Sequence, residues 1–276
     1  MTDTVLRIEH LSKTFVRKSL FKKATEVKAV DDVSFDLLEG EVLVIAGESG
    51  SGKSTIAKII LGAIKADSGM IKLDNRAISY DKESKNIIQK SCQMIHQDPY
   101  DSINPRMRIR DIVAESLHIH RIGDAQSRQG LAAEALRDVK MDPDDIMQKY
   151  PHMLSGGQRQ RVVLARALAV KPRIIIADEP VSMLDVSIRA EMLELMRDLQ
   201  QKRDISFIYI THDLATARHF GSRIVILYRG AVVEYGDINQ TLDNPQHAYT
   251  QSLISAISEP DPSNRLRQRP VMQWDG

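Results

Sequence analysis

The stretch Gly47-Glu48-Ser49-Gly50-Ser51-Gly52-Lys53-Ser54-Thr55 constrains this chain more than any other. It fits G-x-x-x-x-G-K-[ST], the pattern of a loop that cradles phosphates. The flanks supply the context that the pattern needs. Glu41-Val-Leu-Val-Ile-Ala46 is an apolar run of strand length, and residues 55–61 have the texture of a helix. Glycines let successive backbone N–H groups turn into one concavity, and the N-terminus of the next helix adds positive dipole. Lys53 would reach the β- and γ-phosphates of a nucleotide, and the Ser54 hydroxyl would bind Mg²⁺.

The rest of the chain arranges itself around that loop. Residues 5–46 alternate short apolar pieces with turns, which predicts strands, several of them antiparallel. A basic insertion with Arg17, Lys18, Lys22 and Lys23 interrupts them and is expected as a solvated hairpin loop. Residues 70–95 are expected to give further short strands. From about 99 to 172 the spacing turns helical, with Ile112, Val113, Leu117 and then Leu131, Ala135, Leu136, Val139 on repeating faces. Arg173-Ile-Ile-Ile-Ala177 is a short, fully apolar strand suited to a parallel sheet covered on both sides, and residues 206–211 and 223–227 are expected as further strands. Residues 187–203 predict a helix whose Met192 and Met196 fill the core. Residues 232–235 predict a final edge strand. The tail 256–276 is expected to be mobile.

Composition narrows the classes of function. Lys and Arg number 38 against 37 Asp and Glu, so no general affinity for nucleic acid is expected. Cys92 is the single cysteine, which excludes an intrachain disulfide. The first residues lack the charged and apolar regions of a signal peptide. No apolar run approaches the roughly 18–20 residues of a membrane span, so action at a membrane would need other chains.

Two further groups of residues carry chemistry. Asp178-Glu179 closes the strand at 173–177. In phosphate-loop enzymes an acidic residue at that place holds Mg²⁺, and a second carboxylate beside it can take a proton from an attacking water. Asp178 is therefore read as the metal-side residue and Glu179 as the base. Leu154-Ser155-Gly156-Gly157-Gln158 opens a helix, with Ser155 suited to the N-cap. A hydroxyl, glycine N–H groups and a helix N-terminus also make a second anion cradle. One triphosphate does not obviously fill two cradles within one chain. Either the chain folds so that they converge, or two chains each lend one.

Taken together, the phosphate loop, Leu154-Ser-Gly-Gly-Gln158, Asp178-Glu179 and His212 resemble the ATPase subunit of ABC transporters over about residues 5–255. The resemblance implies an α/β P-loop NTPase fold: a RecA-like core, an antiparallel β subdomain and an inserted helical subdomain at about 99–172. It implies that Phe15 stacks on adenine, with Phe21 as the rival. It gives Gln97 to the metal and to the contact with a membrane subunit, and His212 to the γ-phosphate. It places Asp185 in a loop that crosses a dimer interface. The cofactors implied are ATP and Mg²⁺. The partners implied are transmembrane permease subunits, a second ATPase subunit and, indirectly, an extracytoplasmic solute-binding protein. The site of action implied is the cytoplasmic face of a membrane. Gln97-Asp-Pro-Tyr-Asp-Ser-Ile-Asn-Pro105, Asp185-Val-Ser-Ile-Arg189 and Asn244-Pro-Gln-His-Ala-Tyr-Thr250 resemble the oligopeptide, dipeptide and nickel uptake branch. Peptide uptake is the expectation. Nickel uptake and a soluble, non-transport ATPase are the alternatives.

Overall fold

The computed structural model describes residues 3–17 and 25–256. Phe21, the lysines at 18, 22 and 23, and the tail from 257 lie outside those residues. The chain starts with β1 (Thr4–Arg17) and β2 (Thr25–Leu38), paired antiparallel. β1 also pairs with β4 (Ser68–Leu73), and β4 with β5 (Arg76–Ile78), giving a four-stranded antiparallel sheet in the order β2-β1-β4-β5.

The second sheet has six strands. Its parallel members are β3 (Val42–Ala46), β6 (Cys92–Ile95), β7 (Ile174–Asp178), β8 (Ser206–Thr211) and β9 (Arg223–Tyr228). β10 (Ala231–Asp237) adds antiparallel to β9, and the order is β10-β9-β3-β8-β7-β6. Side chains alternate across a strand, yet here both faces are apolar. Leu43, Ile45, Ile174, Ile176, Ile208 and Ile210 pack on one side. Val42, Val44, Ile175, Ala177, Phe207 and Tyr209 pack on the other. Such strands occur in parallel sheets because both faces are covered.

Helices do the covering. α1 (Lys53–Ile60) follows β3 and buries Ile56, Ala57, Ile59 and Ile60 against the face shared with the antiparallel sheet. α2 (Lys82–Ser91) precedes β6. Between β6 and β7 come α3 (Pro99–Ser102), α4 (Ile109–Ile119), α5 (Ala125–Asp138), α6 (Pro143–Ile146), a 3-10 turn at Pro151–Met153 and α7 (Gly156–Leu168). α4, α5 and α7 pack their Ile112, Leu117, Leu136 and Val163 into the opposite core. α8 (Val186–Arg203), α9 (Leu214–Phe220), α10 (Ile238–Asp243) and α11 (Ala248–Ser255) complete the chain.

One local expectation changes, and two further stretches fold in detail that the sequence left open. Residues 82–91 are a helix rather than strand. Asp81 caps it by accepting from the Ser84 N–H at 2.9 Å, and its buried residues Ser84 and Ile88 lie four positions apart on one helical face. Asp142 does interrupt the helical run, but as the N-cap of α6, with Pro143 at the first helical position where its missing N–H is harmless. α10 and α11 follow the edge strand because Asp237 and His247 accept from the N–H groups that open them. Met192 and Met196 are buried as the spacing predicted.

Candidate active site at the carboxyl edge of the sheet

Parallel register brings five strand ends to one edge. Ala46 lies beside Thr211 and Ile226, Ala177 beside Tyr209 and Ile95, and Asp178 beside Ile210. The residues that follow those ends are the phosphate loop, Gln97, Glu179, His212 and Arg229. They are far apart in sequence, and the topology alone gathers them, as open parallel sheets do for their ligands.

The loop is pressed between neighbours on both sides. Gly47 has φ 149°, and a Cβ there would stand 2.2 Å from the Leu227 carbonyl oxygen. Gly52 has φ 107°, and a Cβ there would stand 2.2 Å from the Ala29 carbonyl oxygen. Only glycine fits such approaches. The Arg229-Gly230 turn closes over the loop, with the Gly230 N–H donating to the Ser51 carbonyl at 3.0 Å and the Gly230 carbonyl accepting from Asp31 at 2.8 Å. Lys53 is 6% exposed. Its ammonium donates to the Gly47 and Glu48 carbonyls, each at 2.7 Å. Burial holds its pKa below the usual lysine value, against the pull of Glu179, Asp178 and Glu48.

A cavity of about 520 Å³ opens above the loop. Ser49, Gly50, Gly52, Lys53, Ser54 and Thr55 form its floor, and Gln97, Asp178, Glu179, Val27, Lys28 and Arg229 form its walls. Burial pushes the Asp178 carboxyl above the ordinary aspartate range, the Ser54 hydroxyl bonded to it opposes that, and the Glu179 charge adds to the rise. A hydroxyl, a carboxylate and the Gln97 amide oxygen are hard oxygen donors suited to Mg²⁺, which takes one or two carboxylates and leaves other positions to phosphates and water. Among the described residues no three His, Cys, Asp or Glu gather into a metal site. The donor set therefore fits a cation shared with a nucleotide.

Glu179 is the most constrained side chain here. Its backbone has φ 49°, uncommon for any residue but glycine and typical of strained functional positions. Both carboxylate oxygens are engaged. Oε2 accepts from Gln97 Nε2 at 3.0 Å, and Oε1 lies 2.8 Å from His212 Nδ1. The three residues form a partition: Gln97 and Glu179 also line a second cavity of about 490 Å³, which His212, Arg189 and Asp213 share.

The remaining sequence-predicted residues lie off this cavity. Phe15 is 41% exposed and pairs in the β1–β2 ladder with Val27, which does line it. Glu48 carries the loop's outer turn, and Ser51 accepts from Lys53 at 3.4 Å beneath the floor. Ser155 and Gln158 form a capping box: Ser155 Oγ accepts from the Gln158 N–H at 3.2 Å, and Gln158 Oε1 from the Ser155 N–H at 3.0 Å. A Cβ on Gly157 would meet the Ile188 side chain at 2.6 Å, so α7 begins against the first turn of α8, which Asp185 precedes. Ser155, Gly156 and Asp185 are absent from the wall of the nucleotide-sized cavity. Within one chain the two cradles do not converge.

Sequence reasoning missed Arg229, Lys28 and Tyr249. The Tyr249 hydroxyl accepts from the Glu48 N–H at 2.9 Å, from a helix 201 residues further on. Nothing local in the sequence marks such contacts, although the Arg229-Gly230 turn and the segment 244–250 were both visible as features.

A parallel sheet with a phosphate loop after its first strand β3, and an acidic pair after β7, the next strand but one, defines a P-loop nucleoside triphosphatase. The comparisons then carry the assignment further. A profile of the ABC transporter family matches residues 30–182, and one for the oligopeptide/dipeptide transporter C-terminal region matches 233–273. The chain belongs to the ABC transporter family. It is 43% identical to the oligopeptide transport ATP-binding protein OppF of Bacillus subtilis, over 98% of this chain and 88% of that one. It is also 43% identical to OppF of Streptococcus mutans, over 99% and 89%. Among solved structures it resembles a dimeric, post-hydrolysis ATP-binding cassette bound to ADP and Pi. That likeness has a TM-score of 0.73 and 30% identity, and covers 84% of this chain and 98% of the other.

Proposed function

We propose that this chain is the ATP-hydrolysing subunit of an importer that takes up peptides, acting from the cytoplasmic face of a membrane through separate permease subunits. The observation that carries the reading is Glu179, held by Gln97 and His212 at the mouth of a phosphate loop. The peptide class rests on the OppF relatives and on the match at 233–273. Among the described residues no helix is long and apolar enough to cross a membrane.

Hydrolysis here is phosphoryl transfer to water, so positioning and charge stabilisation dominate. The loop amides and Lys53 hold the β- and γ-phosphates, Lys53 exchanging its own loop carbonyls for phosphate oxygens. Ser54, Asp178 and Gln97 would hold Mg²⁺, which would neutralise charge on the phosphates. Glu179 takes the proton of the attacking water, and His212 steadies the γ-phosphate. Phe15 and Val27 supply an apolar shelf for adenine. Ser155, Gly156, Gly157 and Gln158, with Asp185, face the nucleotide of a second ATPase subunit, because they do not face their own. Gln97 passes the change to the permease, and a solute-binding protein delivers the peptide.

The test is uptake of labelled di- and oligopeptides, with nickel in parallel, in a strain lacking the gene. Loss of peptide uptake, restored by the wild-type chain and not by Glu179→Gln, is expected. A strain that loses nickel uptake and imports peptides normally overturns the peptide assignment.

A further inference from the structure

The segment 231–255 has no part in the chemistry above, yet it reaches the phosphate loop. Its path is built step by step. Glu234 on β10 accepts from the Gln246 N–H at 2.8 Å and the His247 N–H at 3.3 Å, which ties the loop before α11 to the sheet edge. His247 Nδ1 accepts from the Tyr249 N–H at 3.1 Å and starts the helix. The Tyr249 ring lies on Tyr228, with centroids 4.2 Å apart. Its hydroxyl then accepts from the Glu48 N–H at 2.9 Å.

Two properties of that contact matter. Glu48 is absent from the cavity wall, and its N–H is already taken by the Tyr249 hydroxyl. Its carbonyl is one of the two that Lys53 grips, each at 2.7 Å, the other being that of Gly47. When Lys53 turns to a phosphate, that grip is lost, and the Tyr249 hydroxyl remains on the other side of the same residue. Tyr228 adds a second attachment, since the next two residues form the turn whose Gly230 N–H donates to Ser51. The two rings thus join two holds on one loop.

We propose that Tyr249 is a positioning residue for nucleotide binding. It acts through the Glu48 amide to keep the phosphate loop in its binding shape when Lys53 leaves the loop carbonyls. This rests on the phosphate-loop reading above. A preordered loop loses less freedom when the nucleotide arrives, so the benefit appears as affinity.

Tyr249→Phe removes the hydroxyl and keeps the ring. In the purified full chain it weakens binding of both MgATP and MgADP by about 3- to 10-fold, the span of one neutral hydrogen bond. Hydrolysis at saturating ATP changes by less than about 2-fold, and amide exchange at Glu48 becomes faster. Tyr228→Leu, which disturbs the ring packing and leaves the hydroxyl, has a smaller effect on affinity. Unchanged nucleotide affinity in folded Tyr249→Phe overturns the proposal, as does an equal loss in Tyr228→Leu. Lys53→Ala, measured alongside, separates the two readings. If it loses MgATP binding while Tyr249→Phe does not, only the role of Tyr249 fails. If it binds as the wild type does, the phosphate-loop reading fails as well.

Discussion

At the scale of single residues, Glu179 shows what the site demands. A left-handed backbone there goes with a carboxylate that meets both Gln97 and His212. Glu179→Gln keeps the shape and both hydrogen-bonding neighbours but would remove the base that we propose. It should bind MgATP normally and hydrolyse it about 10²–10⁴-fold more slowly, or roughly 3–5.5 kcal/mol in the barrier. Single-turnover hydrolysis measures the loss, and size-exclusion with ATP shows the trapped dimer. Hydrolysis at the wild-type rate would remove Glu179 from the role of base. Lys53, Asp178 and Glu179 were legible because phosphate chemistry ties residue types to fixed places around strand ends. Arg229 and Tyr249 were not, because they reach the loop only through packing between distant segments.

At the scale of elements, legibility followed apolar patterning. β3, β7, β8 and β9 are buried on both faces and stood out as continuous apolar runs. α2 exposes half of its residues and buries only Ser84 and Ile88, and the sequence reading took the stretch for strand. How β9 is fixed in the sheet was equally invisible. Arg223 at its start holds Glu41 through Nε and Nη2 at 2.6 and 2.7 Å, and Asp36 through Nη1 at 3.2 Å. Glu41 is 7% exposed, so removing its partner strands a buried charge. Arg223→Met should destabilise the chain by about 3–5 kcal/mol in urea unfolding at neutral pH. Burial pushes the Asp36 carboxyl up, but the Tyr235 hydroxyl and Arg223 more than offset it, so its folded pKa lies below the ordinary 3.8. A depressed carboxyl contributes stability that is present above 3.8 and is lost as pH falls through the folded value. Wild type should therefore lose stability on acidification below about pH 4, and Arg223→Met should lose less over that window. A steeper loss in the mutant would contradict the arrangement.

At the scale of the whole molecule, the phosphate loop and the capped start of α7, which we propose as a second anion cradle, do not meet. The capped start of α7 rests on α8, with Met183 and Val186 exposed beside it, while the nucleotide-sized cavity lies at the sheet edge. Sequence alone left open whether they converge, because the distance between two loops is a property of the packed core. Ser155→Arg should then leave ATP affinity of the isolated chain intact and abolish hydrolysis. Mixed with Lys53→Ala, it should recover part of the activity if the partner is a second copy, since one composite site is whole. A sharp fall in affinity in monomeric Ser155→Arg would place the cradle in the same chain's site. The hold on Glu179 has a consequence for the cell. Gln97 and His212 each fill one acceptor site on Glu179 and leave a further lone pair on each oxygen for water, so whatever moves either neighbour also moves the base that we propose. Fuel consumption should then answer to contacts made on Gln97 or His212 by other subunits, and an unassembled copy should turn over ATP more slowly than an assembled one.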